Sequence, residues 1–163
     1  IDRIRSLTKP KKIIQGGTGA GELPPLTRGR GKTYGILPIL IDSAASNPGE
    51  EISVVSETFP HLRKGARKDF IKIMKETGRW REEGWHGTDS KYTFANGSFI
   101  EFFSADNYAR VHGPRRTQLY VNEAHLIKFD TYHQLSVRTS GNEYLDYNPV
   151  RYFWVHDELK GIK

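Results

Sequence analysis

Two clusters of residues have the types and spacing for phosphate chemistry. Gly16, Gly17, Thr18, Gly19 and Ala20 form one half of a glycine-rich loop, and Gly31, Lys32 and Thr33 form the other. If ten residues are removed, either Gly21 to Arg30 or Glu22 to Gly31, the run from Lys11 to Leu40 reads KKIIQGGTGAGKTYGILPIL. That is a short apolar strand, a GxxxxGK[ST] loop and an apolar segment of helical length. Glycines let successive backbone N–H groups curl round a polyphosphate at a helix N-terminus, Lys32 reaches the β- and γ-phosphates, and Thr33 ligates Mg²⁺. The second cluster is Asn122-Glu123 at the end of the apolar run Gln118 to Val121. In a nucleotide hydrolase the first of two such residues holds Mg²⁺ through water and the second polarises the attacking water; here the usual Asp is Asn122.

The glycine loop is interrupted as written. Counting back from Gly31, the position that needs the first glycine is Leu26, and the intervening GELPPLTRGR reads as irregular loop because of Pro24-Pro25 and its Gly/Arg-rich end. Gln15, immediately before the glycines, is either an adenine contact or a polar strand end.

These residues need elements to position them. Lys12 to Gln15 reads as the first strand, and Lys32 to Ala45 as a helix that Pro38 either kinks or delays. Ile52 to Ser56 is a β-branched strand, and Glu57-Thr58 with Pro60 opens one further helix. In that helix Leu62, Ala66, Phe70 and Ile73 or Met74 recur as a buried stripe. Lys64, Arg67, Lys68, Lys72 and Lys75 share another face, which is either solvated or set against a phosphate backbone. Trp80 and Trp85, interleaved with Arg79 and Arg81, serve packing or base stacking. Asn96-Gly97 between aromatic runs predicts a hairpin over Tyr92 to Phe103, with Phe94 opposite Phe99. Asn107 to Arg116 reads as a polar loop, Lys128 to Gln134 as a helix, and Glu143 to Tyr147 and Arg151 to Val155 as short strands.

Composition narrows the partners. The chain has 163 residues, enough for one domain with a real core, and 36% hydrophobic content. It opens at Ile1 without a methionine, as expected of a fragment. A net charge of +6 favours a polyanion, nucleic acid first. Cysteine is absent, which excludes disulfides, thiolate metal sites and Cys nucleophiles. No apolar run approaches the roughly 20 residues of a membrane-spanning helix.

In order along the chain, the split GGTGA…GKT, ISVVSETFPHLRKGARKDF, YTFANGSFIEFFSADNYARVHGPRR, LYVNEAH and RTSGNEYLDYNP together resemble the N-terminal ATPase domain of phage terminase large subunits, the motors that package double-stranded DNA into procapsids. The resemblance implies an α/β, P-loop NTPase-like fold: a mainly parallel sheet, helices on both faces and an antiparallel hairpin addition. Residues 1–163 would form a single ATPase domain with an insertion at 21–30, and a nuclease domain would follow Lys163. ATP and Mg²⁺ are the implied cofactors. Implied partners are double-stranded DNA, a portal, a small terminase subunit and further copies in a ring, with the host cytoplasm as the setting and no membrane.

Carried onto this sequence, Gln15 to Ala20 and Gly31 to Thr33 bind ATP, Thr33 and Asn122 hold the metal, and Glu123 is the catalytic carboxylate. Asn148 is the coupling residue that senses γ-phosphate. Thr18 stands where many relatives carry Arg, so a charge-stabilising arginine comes from Arg110, Arg115 or Arg116, acting within the subunit or on its neighbour. Lys64, Arg67, Lys68 and Lys72 are the candidate DNA contacts from their charge, the alternative being a solvated face. Two rivals stay open on the sequence: a helicase-type ATPase, and a nucleotide-dead domain that keeps the fold and a basic surface.

Overall fold

The computed structural model describes residues 11–15, 31–148 and 153–160. The glycine half-loop Gly16 to Ala20, the insertion 21–30 and Arg151 lie outside the described residues.

Seven strands form one sheet in the order β1-β7-β6-β2-β5-β4-β3. The strands are β1 (Lys11–Gln15), β2 (Glu51–Ser56), β3 (Trp85–His86), β4 (Lys91–Thr93), β5 (Phe99–Ser104), β6 (Gln118–Val121) and β7 (Glu143–Tyr147). From β1 to β5 every pairing is parallel, and β4 and β3 continue antiparallel at the edge. The expected α/β architecture with a mainly parallel sheet and a hairpin addition is therefore present. Parallel strands are covered on both faces, which is why β6 reads QLYV and is buried throughout.

Alternation along the strands sorts side chains onto two faces. Ile52, Val54, Ile100, Phe102, Tyr120 and Tyr144 meet α1 (Gly31–Ser46), α2 (Phe59–Lys64) and α3 (Ala66–Glu76) through Ile36, Leu40, Leu62, Phe70 and Met74. On the other face Val55, Phe103, Leu119, Val121, Leu145 and Tyr147 meet Val111 of α4 (Tyr108–His112) and Tyr132 and Leu135 of α5 (Phe129–Val137).

Several local expectations change. The helix opened by Thr58 is two helices, because the chain bends at Gly65 (φ −107°, ψ −106°). Thr58 does cap it, its hydroxyl accepting from His61 N at 3.3 Å, and the stripe Leu62, Ala66, Phe70, Ile73 and Met74 is buried. Helix α1 runs through Pro38 from Gly31, so the delayed start does not occur.

The hairpin closes through three residues. Phe94 N donates to Ser98 O at 2.8 Å, and Gly97 takes φ +89°. Phe94 therefore opposes Ser98, and Phe99 pairs with Thr93. A type I turn followed by a left-handed glycine inserts the extra residue and shifts the register by one.

The loop Asn107 to Arg116 contains α4, capped by the Asn107 side chain, which accepts from Arg110 N. Val155–Lys160 is a π-helical turn, so the strand expected to end at Val155 does not form there. Its neighbour Trp154 stacks on Tyr132 at 4.8 Å and donates Nε1–H to Ile127 O at 2.6 Å. Trp80 and Trp85 lie 5.6 Å apart against the core, as the packing alternative expects.

Candidate functional site

The C-terminal ends of the parallel strands define one edge of the sheet, where ligands of open α/β folds bind. Strand β1 ends there at Gln15, β7 at Tyr147 and β6 at Val121. Strand β7 lies between the other two, so the glycine strand and the strand ending in Asn122-Glu123 stand two strand spacings apart, roughly 10 Å. Helix α1 starts at Gly31 on this same edge, and its Lys32 and Thr33 sit in its first turn. The sequence thus delivers Gln15, Gly31, Lys32, Thr33, Asn122, Glu123 and Asn148 to one edge. The side chains of Gln15 and Lys32 lie outside the described residues.

Glu123 is one of two non-glycine residues with positive φ among those described, at φ +54° and ψ +57°. A left-handed glutamate costs on the order of 1 kcal/mol and turns the chain sharply off the strand. Its N–H donates to Asp146 Oδ1 at 2.6 Å, which fixes the turn. Its carboxylate, partly exposed, contacts His61 Nε2 on α2. Beside them an open cleft is lined by Thr58, Pro60, His61, Lys64 and Gly65.

Asn122 is buried and faces its neighbours with both halves of its amide. Oδ1 accepts from Ser56 Oγ at 3.2 Å, while Nδ2 donates to Tyr120 Oη and to Asp146 Oδ2, each at 3.1 Å. Tyr120 also donates its hydroxyl to Asp146 and lies 3.4 Å from Thr33 Oγ1. Burial first, then the charge of Asp146 and the hydrogen bond to it, hold the Tyr120 phenol well above its usual pKa. The phenol is therefore a permanent donor. Asn148 follows the end of β7, its N–H directed at His125 Nδ1 at 3.4 Å.

The three candidate arginines have different fates. Arg116 is 2% exposed and enters at the opposite end of β6. Its guanidinium donates to Ser53 Oγ at 2.9 Å, to Leu135 O at 2.8 Å, and at longer range to Arg110 O and Pro114 O. Burial is the main reason its pKa falls below the usual arginine value. Arg116 is thus a structural cation and not a group that reaches a phosphate, which corrects the sequence reading. We expect Arg116→Ala to lower unfolding free energy by about 3 kcal/mol, since Ser53 and Leu135 would lose a buried charged donor. Urea denaturation measures this, and a loss under about 1 kcal/mol would contradict it. Arg110 donates to Asp89 O at 3.2 Å and lies over the Phe103 ring, while Arg115 is exposed.

The basic stripe also divides. Arg67 is half-buried, its guanidinium 5.2 Å from the Trp85 ring centre and 5.8 Å from that of Phe59. Lys72 Nζ lies 3.9 Å from Glu76. Lys64 and Lys68 are exposed and form no ion pair among the described residues.

Sequence reasoning missed Asp146, Tyr120 and His61. An acid inside the apolar run EYLDY was a signal for Asp146; nothing local singled out His61, which reaches Glu123 only through the fold.

The fold has known counterparts. The chain superposes on the large terminase of a thermophilic bacteriophage in complex with ATP-gamma-S with a TM-score of 0.70 at 18% identity, over 98% of this chain and 40% of that one. The ADP complex of the same terminase gives 0.69 at 16%, over 95% and 38%. The large terminase ATPase domain of Thermus phage P74-26 gives 0.61 at 14%, over 91% and 62%. This chain therefore spans about two fifths of the terminase solved with ATP-gamma-S, and it shares the fold of all three structures. No protein-family model and no curated protein matches the sequence.

Proposed function

We propose that the chain is a phage terminase-type ATPase domain, hydrolysing Mg²⁺-ATP and coupling hydrolysis to movement along double-stranded DNA. The observation that carries this reading is the position of Glu123. It ends the buried strand β6 in a left-handed turn, at the same sheet edge as the start of α1 and the end of β1. The likeness to terminases solved with ATP-gamma-S and ADP supports it.

The residues present suit a hard divalent cation. Thr33 Oγ1 lies 3.4 Å from Tyr120 Oη, which in turn contacts the Asp146 carboxylate and the Asn122 amide, and a hydroxyl beside a carboxylate is oxygen chemistry that Mg²⁺ takes with phosphates. When bound, Mg²⁺ would neutralise charge on the β- and γ-phosphates. Lys32 and the N-terminus of α1 would hold those phosphates, and Glu123 would take the proton of the attacking water. To do so its carboxylate must exchange the His61 contact for the water. Asn148, one residue beyond β7, would report on the γ-phosphate.

The basic face would meet DNA through phosphate contacts, without reading sequence. We expect binding of duplex DNA to fall steeply with salt. Replacing Lys64 and Lys68 together by Ala should reduce the slope of log affinity against log salt by about 2, one for each phosphate that is no longer neutralised. Filter binding or fluorescence anisotropy across a salt series reads this; an unchanged slope would return that face to solvent. ATP hydrolysis stimulated by duplex DNA is the direct test of the whole reading. A second reading, a domain that keeps the fold but binds no nucleotide, is favoured by the interruption between Ala20 and Gly31.

A further inference from the structure

The acid expected at position 122 is an amide, yet a carboxylate stands beside it on the next strand. The pairs Leu119 with Glu143, Tyr120 with Tyr144 and Val121 with Leu145 place Asn122 level with Asp146. Strand alternation puts Asp146 on the same face as Tyr120, the face covered by α1 and therefore by Thr33. Asp146 is 1% exposed. Its partners among the described residues are the Tyr120 hydroxyl, the Asn122 amide and the Glu123 N–H. All three are neutral donors. They satisfy hydrogen bonding, but a carboxylate removed from water also needs positive charge nearby.

We propose that Asp146 is the acid that Asn122 is not: displaced one strand sideways, its carboxylate holds the hydration shell of the nucleotide's divalent cation next to Thr33. The inference rests on the proposed nucleotide site and adds to it the residue that supplies negative charge. In this arrangement Asn122 and Tyr120 orient Asp146, and the Asp146 bond to Glu123 N–H links the cation's position to the turn that carries the catalytic carboxylate. A purely structural Asp146 would have no reason to respond to a cation.

The test uses Mn²⁺, titrated into the full chain with and without ADP. Free Mn²⁺ is read by electron paramagnetic resonance and the melting temperature is read in parallel. Three proteins are compared: wild type, Asp146→Asn, and the exchange Asn122→Asp with Asp146→Asn, which swaps acid and amide across one register pair. We expect wild type with ADP to hold Mn²⁺ at least tenfold more tightly than Asp146→Asn, the exchange variant to come within about threefold of wild type, and Mn²⁺ to raise the melting temperature only where the acid is present.

Equal Mn²⁺ affinity in wild type and Asp146→Asn removes Asp146 from the site while leaving a nucleotide site standing. A wild type indifferent to Mn²⁺ in both readouts also overturns the inference. Asp146-dependent Mn²⁺ binding that ADP does not strengthen keeps Asp146 as the cation's acid and counts against the nucleotide reading instead. Should Asp146→Asn fail to fold, the exchange variant decides: recovered Mn²⁺ affinity supports the proposal, and a folded exchange variant without it refutes the proposal.

Discussion

Glu123→Gln should leave a protein that binds Mg²⁺-ATP within about threefold of wild type and turns it over at least 100-fold more slowly, since positioned general bases contribute roughly 10² to 10⁴ in rate. The amide keeps the size and shape of the side chain and keeps the backbone N–H that Asp146 holds at 2.6 Å. It removes only the ability to take a proton from water. His61 contacts the carboxylate itself, so breaking that pair should not weaken nucleotide binding. Steady-state turnover together with calorimetric binding separates the two quantities. Unchanged turnover would take Glu123 out of the mechanism, whereas loss of binding and turnover together would mean that the residue supports the site's structure.

Removing Gly21 to Arg30 should tighten Mg²⁺-ATP binding by at least about tenfold, or ~1.4 kcal/mol. A phosphate loop works by aiming consecutive backbone N–H groups at one anion, and the insertion separates Ala20 from Gly31. Closing ten flexible residues into a bulge costs only about 2 to 4 kcal/mol of chain entropy. Loss of preorganisation adds to it. Pro24 and Pro25 have no N–H to offer, and Glu22 brings negative charge towards a triphosphate, while Arg28 and Arg30 offset it only when they face inward. The elements that flank the shortened loop, β1 ending at Gln15 and α1 starting at Gly31, already stand in the strand-then-helix order that a closed loop needs. Calorimetry on both forms measures the effect. Tight binding by the interrupted chain would show that the bulge leaves the cradle intact, and no gain on deletion would show that the insertion is not what limits binding.

The sequence by itself determined what depends on neighbours in the chain. The β-branched run ISVVS, the apolar run QLYV and the 3.6 period of Leu62, Ala66, Phe70 and Ile73 follow directly from which side chains must leave water, so those strands and the buried stripe were readable. The order of elements was enough to expect Lys32, Thr33 and Glu123 at one edge of the sheet. Turn details were less readable: Asn96-Gly97 announced the hairpin, but whether two or three residues close it depends on Gly97 adopting φ +89° under the pairing of β4 with β5.

Tertiary structure alone decided the rest, because charge is satisfied across strands and not along them. Arg116 looked like a candidate to reach phosphate until the fold set it in the core against Leu135 and Ser53, the latter more than sixty residues away in the chain. Asn122 gave no sign of Asp146, which the β6 to β7 register sets beside it. His61 meets Glu123 only because α2 packs against β2 and β5, and β2 lies beside β6. Composition and periodicity fix which residues are buried, but a carboxylate's partner is whatever the sheet order brings within hydrogen-bonding distance, and that order is a property of the whole fold.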